Sequence, residues 1–181
     1  MNTNDDLYEF LLSLGTDEVA HTGGDFLHHL QSVQSLLEDN GADLDMSRAG
    51  LFHSIYGTQG FQDFSLPLSD RPVIKNLIGE RAEFVAFCNC VMNRETFDEA
   101  LAQAMNTGDS FTIENREDKS SIALSRGQLI DLSEIHLFDW LEQVKRSDRG
   151  WNYRRTAYKN MARLVGTRAL DLYDRVFADE T

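Results

Sequence analysis

The stretch Phe26-Leu27-His28-His29-Leu30-Gln31-Ser32-Val33-Gln34-Ser35-Leu36-Leu37 places Phe26, Leu30, Val33 and Leu37 at successive helical intervals. One apolar stripe with a period near 3.6 predicts an amphipathic helix. Its expected span is Asp25 to Asp39, with Asp25 as N-cap and Asn40-Gly41 closing it. His29 lies one turn after Phe26 and one turn before Val33, so it points with the stripe, whereas His28 points toward Ser32 and Ser35. A buried imidazole needs compensation. Two readings stay open for His29: a hydrogen-bonded core residue or a ligand.

Outward from that helix nearly everything between Asp5 and Phe177 reads the same way, and the two prolines, Pro67 and Pro72, fall in one loop region. Helices are expected over Asp5 to Leu14, Asp45 to Tyr56, Pro72 to Asn93, Arg94 to Met105, Ser125 to Arg146 and Tyr153 to Ala178. The Glu95-Thr96 region is the expected N-cap of the Arg94 helix. His21-Thr22-Gly23-Gly24 reads as a flexible lead, too short for a phosphate loop. Gly60 to Arg71 lacks helical periodicity and reads as a surface loop, of a size that often covers a site. Ser110 to Glu114 and Ser120 to Leu124 alternate polar and apolar residues around a charged turn, which makes a small β-hairpin or a flexible loop. The expected fold class is all-α: one helical-bundle domain over residues 1–181 with at most one small hairpin near 110–124.

A chain of 181 residues fits one sizeable core. With 17 basic and 30 acidic residues the formal charge is −13, which disfavours nonspecific attraction to nucleic acid or anionic lipid. The polar N-terminus and the lack of any apolar run near the ~20 residues of a membrane span give the expectation of a soluble, cytoplasmic protein. Cys88 and Cys90 point in different directions on their expected helix, so they read as reduced packing thiols rather than joint ligands. Arg154-Arg155 and Lys159 to Arg163 read as salt-bridge partners of the acidic surface. Phe138, Trp140, Trp151, Tyr153 and Tyr158 read as packing.

Two further segments put ionisable groups on apolar helix faces. In Ala49-Gly50-Leu51-Phe52-His53-Ser54-Ile55-Tyr56-Gly57-Thr58, His53 follows Phe52, and Gly50 admits a close neighbour. In His136-Leu137-Phe138-Asp139-Trp140-Leu141-Glu142-Gln143, Asp139 sits one turn from Ile135 and His136 and two from Leu132. A carboxylate there requires a cationic partner: a metal ion, Arg71, Arg81 or a histidine such as His136.

The order of these segments resembles the HD-domain superfamily of metal-dependent phosphohydrolases and its oxygenase relatives. In that superfamily the ligands run His, then His-Asp, then Asp, which this chain matches at His29, His53 and Asp139. "HLQSVQSLL" from His29 looks like the first ligand helix, and "FDWLEQ" like the late Ala-Asp motif with Phe138 in place of Ala. The blocks "AGLFHSIYGT", "IGERAEFVAFC" and "HLFDWLEQV" resemble one branch of the superfamily over about His21 to Phe177. Ser54 stands where the superfamily has the Asp of its His-Asp pair. A hydroxyl replaces that carboxylate poorly, which favours a mononuclear over a binuclear centre.

The resemblance implies an enzyme using one divalent ion, Mn, Zn or Fe, on a small molecule, with hydrolysis of a phosphate ester or nucleotide first. A nonheme Fe(II) oxygenase is the second expectation, and a noncatalytic binding or regulatory protein the third. His28, His136 and Glu83 are the candidate proton-transfer groups, with Tyr56 donating to a substrate oxygen or capping the site. Glu80, Arg81 and Glu83 either line the pocket or form a solvated charged face. The expected partner is a small-molecule substrate, not nucleic acid or membrane. Homodimerisation is the base-rate expectation.

Overall fold

A computed structural model describes residues 2–106 and 108–180. Among them it has nine α-helices and two small two-stranded antiparallel sheets, a mainly α fold with a small hairpin at the expected place. No helix among the described residues is long and apolar enough to cross a membrane. The chain divides into two compact units, Met1–Cys90 and Val91–Thr181.

In the first unit, α1 (Asn4–Ser13) starts from a capping box in which Thr3 and Asp6 satisfy each other's backbone N–H. The segment read as a flexible lead is instead a hairpin, β1 (Ala20–His21) against β2 (Gly24–Asp25). Two-residue strands are too short to show a period of two, and the positive φ of Gly23, 79°, makes the turn. Helix α2 (Phe26–Asp39) follows, N-capped by Asp25, whose carboxylate accepts from His28 N at 2.7 Å. It buries Phe26, Leu30, Val33 and Leu37 completely, and His29 with them.

Helix α3 (Leu44–Phe52) packs on α2 through Gly50. A Cβ at Gly50 would fall 2.3 Å from Leu37 Cδ1 and 3.6 Å from Gln34 Cα, so glycine lets the two backbones approach. Leu37 is wholly buried, so its neighbours would have to give as well. Gly50→Ala is therefore expected to cost about 2 kcal/mol in urea melts, an overpacking penalty that Leu37→Ala in the same chain should partly relieve. A polar network registers the first three helices. Tyr8 Oη donates to Gln34 Oε1 at 2.7 Å, Gln34 Nε2 donates to Ser47 Oγ at 3.2 Å, and Ser47 Oγ donates to Glu38 Oε1 at 2.5 Å.

After a loop and a 3-10 turn (Leu68–Asp70), the expected single helix from Pro72 to Asn93 is two: α4 (Arg71–Ile78) and α5 (Glu80–Val91). Gly79 lies between them at φ 100°, a conformation that breaks the helical run while the apolar pattern continues across it.

In the second unit, α6 (Arg94–Ala104) is N-capped by Asn93, two residues before the expected Glu95-Thr96 region; Asn93 Oδ1 accepts from the backbone of both Glu95 and Thr96. Strands β3 (Ser110–Glu114) and β4 (Ser121–Ser125) pair with Phe111 opposite Leu124 and Ile113 opposite Ile122. Helix α7 (Arg126–Gln143) opens with a Ser125–Gln128 capping box and runs into a 3-10 turn, Val144–Arg146. The expected last helix is again divided, into α8 (Arg155–Val165) and α9 (Thr167–Phe177), by Gly166 at φ 123°. Helix α8 packs on α6, α7 and α9.

Candidate metal centre

Helix α2 carries His29 on its buried face, 2 % exposed. His53 is fully buried, but it is not inside a helix as expected: α3 ends at Phe52, and His53 is its C-cap. That position turns the ring back on its own helix. Nδ1 lies 2.7 Å from the carbonyl oxygen of Gly50. A carbonyl only accepts, so Nδ1 carries the proton and Nε2 of the neutral ring presents its lone pair. Nε2 faces Nε2 of His29 at 3.2 Å. The His53 backbone is fixed as well, because its carbonyl accepts from Asn89 Nδ2 at 2.9 Å and Cys90 Sγ at 3.3 Å, both on α5.

His21, absent from the sequence-based site, packs its ring edge-to-face on His29, centroids 4.2 Å apart. The Phe61 ring lies tilted against His21, with centroids 4.6 Å apart, and against Phe26 at 4.9 Å. Phe64 adds a contact to Phe26 at 5.4 Å. The segment after Gly57 thus lays aromatic rings over this end of α2, in line with a covering loop. It is pinned by Ser65 Oγ donating to the Tyr56 carbonyl and by Leu66 N donating to the Ile55 carbonyl.

The other first-unit candidates lie apart in role. His28 is exposed, one residue from the buried His29 and about 100° round the helix from it. In the "IGERAEF" block Glu80 and Arg81 are exposed and Glu83 is buried, so the block divides between the two readings given to it. Arg81 pairs with Asp43 at 2.7 Å and holds its carboxyl below the usual carboxylate range, through their hydrogen bond first. Arg71 grips Glu83 with two bonds, Nε to Oε1 at 2.6 Å and Nη2 to Oε2 at 2.9 Å. Tyr56 Oη donates to the same Oε1 at 3.2 Å. Burial, then the Glu83 charge and hydrogen bond, pushes the Tyr56 hydroxyl well above its ordinary value, so it acts as a neutral donor. Burial likewise pushes the Cys88 thiol up to about 12, as suits a packing cysteine.

In the second unit, Asp139 is half-buried on α7, and its Oδ1 accepts from Gln143 Nε2 at 2.7 Å one turn later. His136 is buried, stacked on Tyr158 and edge-on to Phe97. Its Nε2 lies 2.7 Å from Arg154 Nη1; a guanidinium only donates, so this nitrogen is an acceptor and the proton sits on Nδ1. Arg154 also pairs with Asp98, which engages the side chain that the sequence reading gave to surface ion pairing. Arg155 pairs with Glu180. An open groove of about 490 Å³ runs past Asp98, Arg154 and Arg155, its two cations each matched by a carboxylate.

By donor type, His29, His53 and Asp139 are two imidazoles and a carboxylate, a set that could hold a metal ion. The His53 tautomer fits that role: a ligating histidine characteristically gives its second N–H to a carbonyl or carboxylate.

Residues 10–94 match a family described as a domain of unknown function (DUF6817). The matched segment includes His21, His29, His53, Tyr56 and Glu83, and it ends before Asp139. No curated protein and no solved structure matches the chain.

Proposed function

We propose that this chain is a divergent HD-like enzyme that holds one divalent ion on His29, His53 and Asp139 and hydrolyses a small phosphate ester or nucleotide. The observation that carries the reading is the bond from His53 Nδ1 to the Gly50 carbonyl, which leaves the Nε2 lone pair facing His29 Nε2. Two ring nitrogens brought to 3.2 Å in a buried place are compatible when one donates a proton to the other, or when both lone pairs converge on a cation lying to one side of the line between them.

A bound divalent ion would supply an activated water and polarise a phosphoryl oxygen. The chain's own residues hold and orient. His53 is fixed through Gly50, and Asp139 brings the negative charge that a divalent ion favours over a proton. Tyr56 and Glu83 bond to each other, and with Arg71 they brace the site rather than move protons. Ser54, 5 % exposed, offers a hydroxyl where a second carboxylate would recruit a second ion.

The same donor set suits nonheme Fe(II), which keeps an oxygenase as the second reading. Both are tested on one preparation. Metal-free protein loaded with Mn²⁺ is given a panel of phosphomonoesters and nucleotides, and a second portion is loaded with Fe²⁺ without oxygen and then exposed to it. The expected result is metal-dependent phosphate release, reduced by about 10² or more in Asp139→Asn. Oxygen uptake without phosphate release would favour the oxygenase. Neither reaction, with the ion bound, would leave a binding or regulatory protein.

A further inference from the structure

We infer that His21 is a positioning residue: its ring, delivered by the β1–β2 hairpin, sets the plane of His29 so that Nε2 is aimed at His53. This deepens the metal reading and rests on it. An imidazole rotates broadly about its second side-chain torsion, so a ligating ring needs an external restraint. For His53 the restraint is the Gly50 carbonyl. Against His29 the fold sets the ring of His21 edge-to-face at 4.2 Å, with the planes at 71°.

His21 is itself held. Its backbone pairs with Gly24, fixing where the hairpin projects it. Phe61 backs its ring at 4.6 Å, and Phe26 meets it edge-on at 5.8 Å. Phe61 is fastened by two backbone bonds to Thr58, at 2.8 and 3.2 Å. A path of contacts therefore runs from the segment after Gly57, through Phe61 and His21, to His29. The role assigned to His21 is shape, an aromatic wall, so phenylalanine should perform it and alanine should not.

The test compares His21→Ala, His21→Phe and Phe61→Leu with wild type by two readouts. One is the Zn²⁺ dissociation constant from chelator competition. The other, taken on metal-free protein, is the imidazole nitrogen–proton correlation spectrum that reports the His29 and His53 tautomers. His21→Ala is expected to weaken Zn²⁺ binding about tenfold and to shift or broaden the His29 ring signals. Phe61→Leu should do so more weakly, and His21→Phe should restore both readouts to near wild type. Alanine without effect on either readout would overturn the inference. So would a phenylalanine variant as defective in Zn²⁺ binding as alanine, because His21 would then be a ligand and not a wall. Should wild type bind no Zn²⁺, the metal reading fails, and the metal-free ring spectrum still decides the role of His21. If His21→Ala does not fold, Phe61→Leu and His21→Phe carry the same comparison.

Discussion

Protein purified without a nickel column should carry about one divalent ion per chain, and His53→Ala should retain less than about a tenth of it. Removing His53 deletes a lone pair whose direction is fixed at both ends of the residue: Nδ1 to the Gly50 carbonyl, and the backbone carbonyl to Asn89 and Cys90. Ser54, the next residue, has only a weakly ligating hydroxyl. His28→Ala is the control, since that imidazole sits beside His29 in sequence but is exposed where His29 is buried. The same contrast should appear in stability. At a hundredfold excess over its dissociation constant, an ion that binds only the folded chain adds about 2.7 kcal/mol. In a chain of this length that raises Tm by about 5–10 °C. Wild type and His28→Ala should show the rise and His53→Ala should not. Equal metal content in wild type and His53→Ala would remove the centre as drawn.

Much of this arrangement was legible because helical periodicity and caps are local. The stripe of α2, its Asp25 cap and the inward direction of His29 all follow from residues within four positions of one another. The hairpin at Ser110–Glu114 and Ser121–Ser125 shows as alternation around a charged turn. Where the reading went astray, two consistent local signals competed. Gly79 and Gly166 each sit in an apolar pattern that continues across them, and a single glycine inside such a pattern is tolerated as often as it breaks a helix. Their positive φ, 100° and 123°, decided it. The partners of buried charges were the least legible part. Arg71 meets Glu83 across a helix break, and Arg154 reaches back from the start of α8 to His136. Neither pairing leaves a periodic trace. His21 was missed for a related reason: a strand of two residues carries no period, so nothing in the sequence aimed its ring at α2.

The Arg71–Glu83 pair gives the second large effect, and it bears on how the candidate centre is supported. Arg71→Met should destabilise the protein by about 3 kcal/mol in urea melts, lowering Tm by about 6–12 °C. The Glu83 side chain is 3 % exposed, and Arg71 supplies two of the three bonds described to its carboxylate; Tyr56 supplies the third. Without the guanidinium a buried carboxylate stands against a single neutral donor, a state that costs far more than a surface ion pair is worth. Methionine isolates that loss because it keeps an apolar stem over Phe87, whose ring lies 3.5 Å from the Arg71 guanidinium carbon. The double variant Arg71→Met, Glu83→Leu should recover most of the stability, since it removes the desolvation cost along with the attraction. An Arg71→Met chain within about 0.5 kcal/mol of wild type would show that the pair behaves as a screened surface bridge. The pair also ties the start of α4 to α5, and through Tyr56 it anchors the chain that leads into Phe61. The single variant should therefore bind metal more weakly as well as unfold more easily, while the double variant, restored in stability but still lacking the Tyr56 anchor, should keep part of the metal defect. That separation of stability from affinity is what a bracing role for Glu83 requires, and a mere contribution to the core would move the two together.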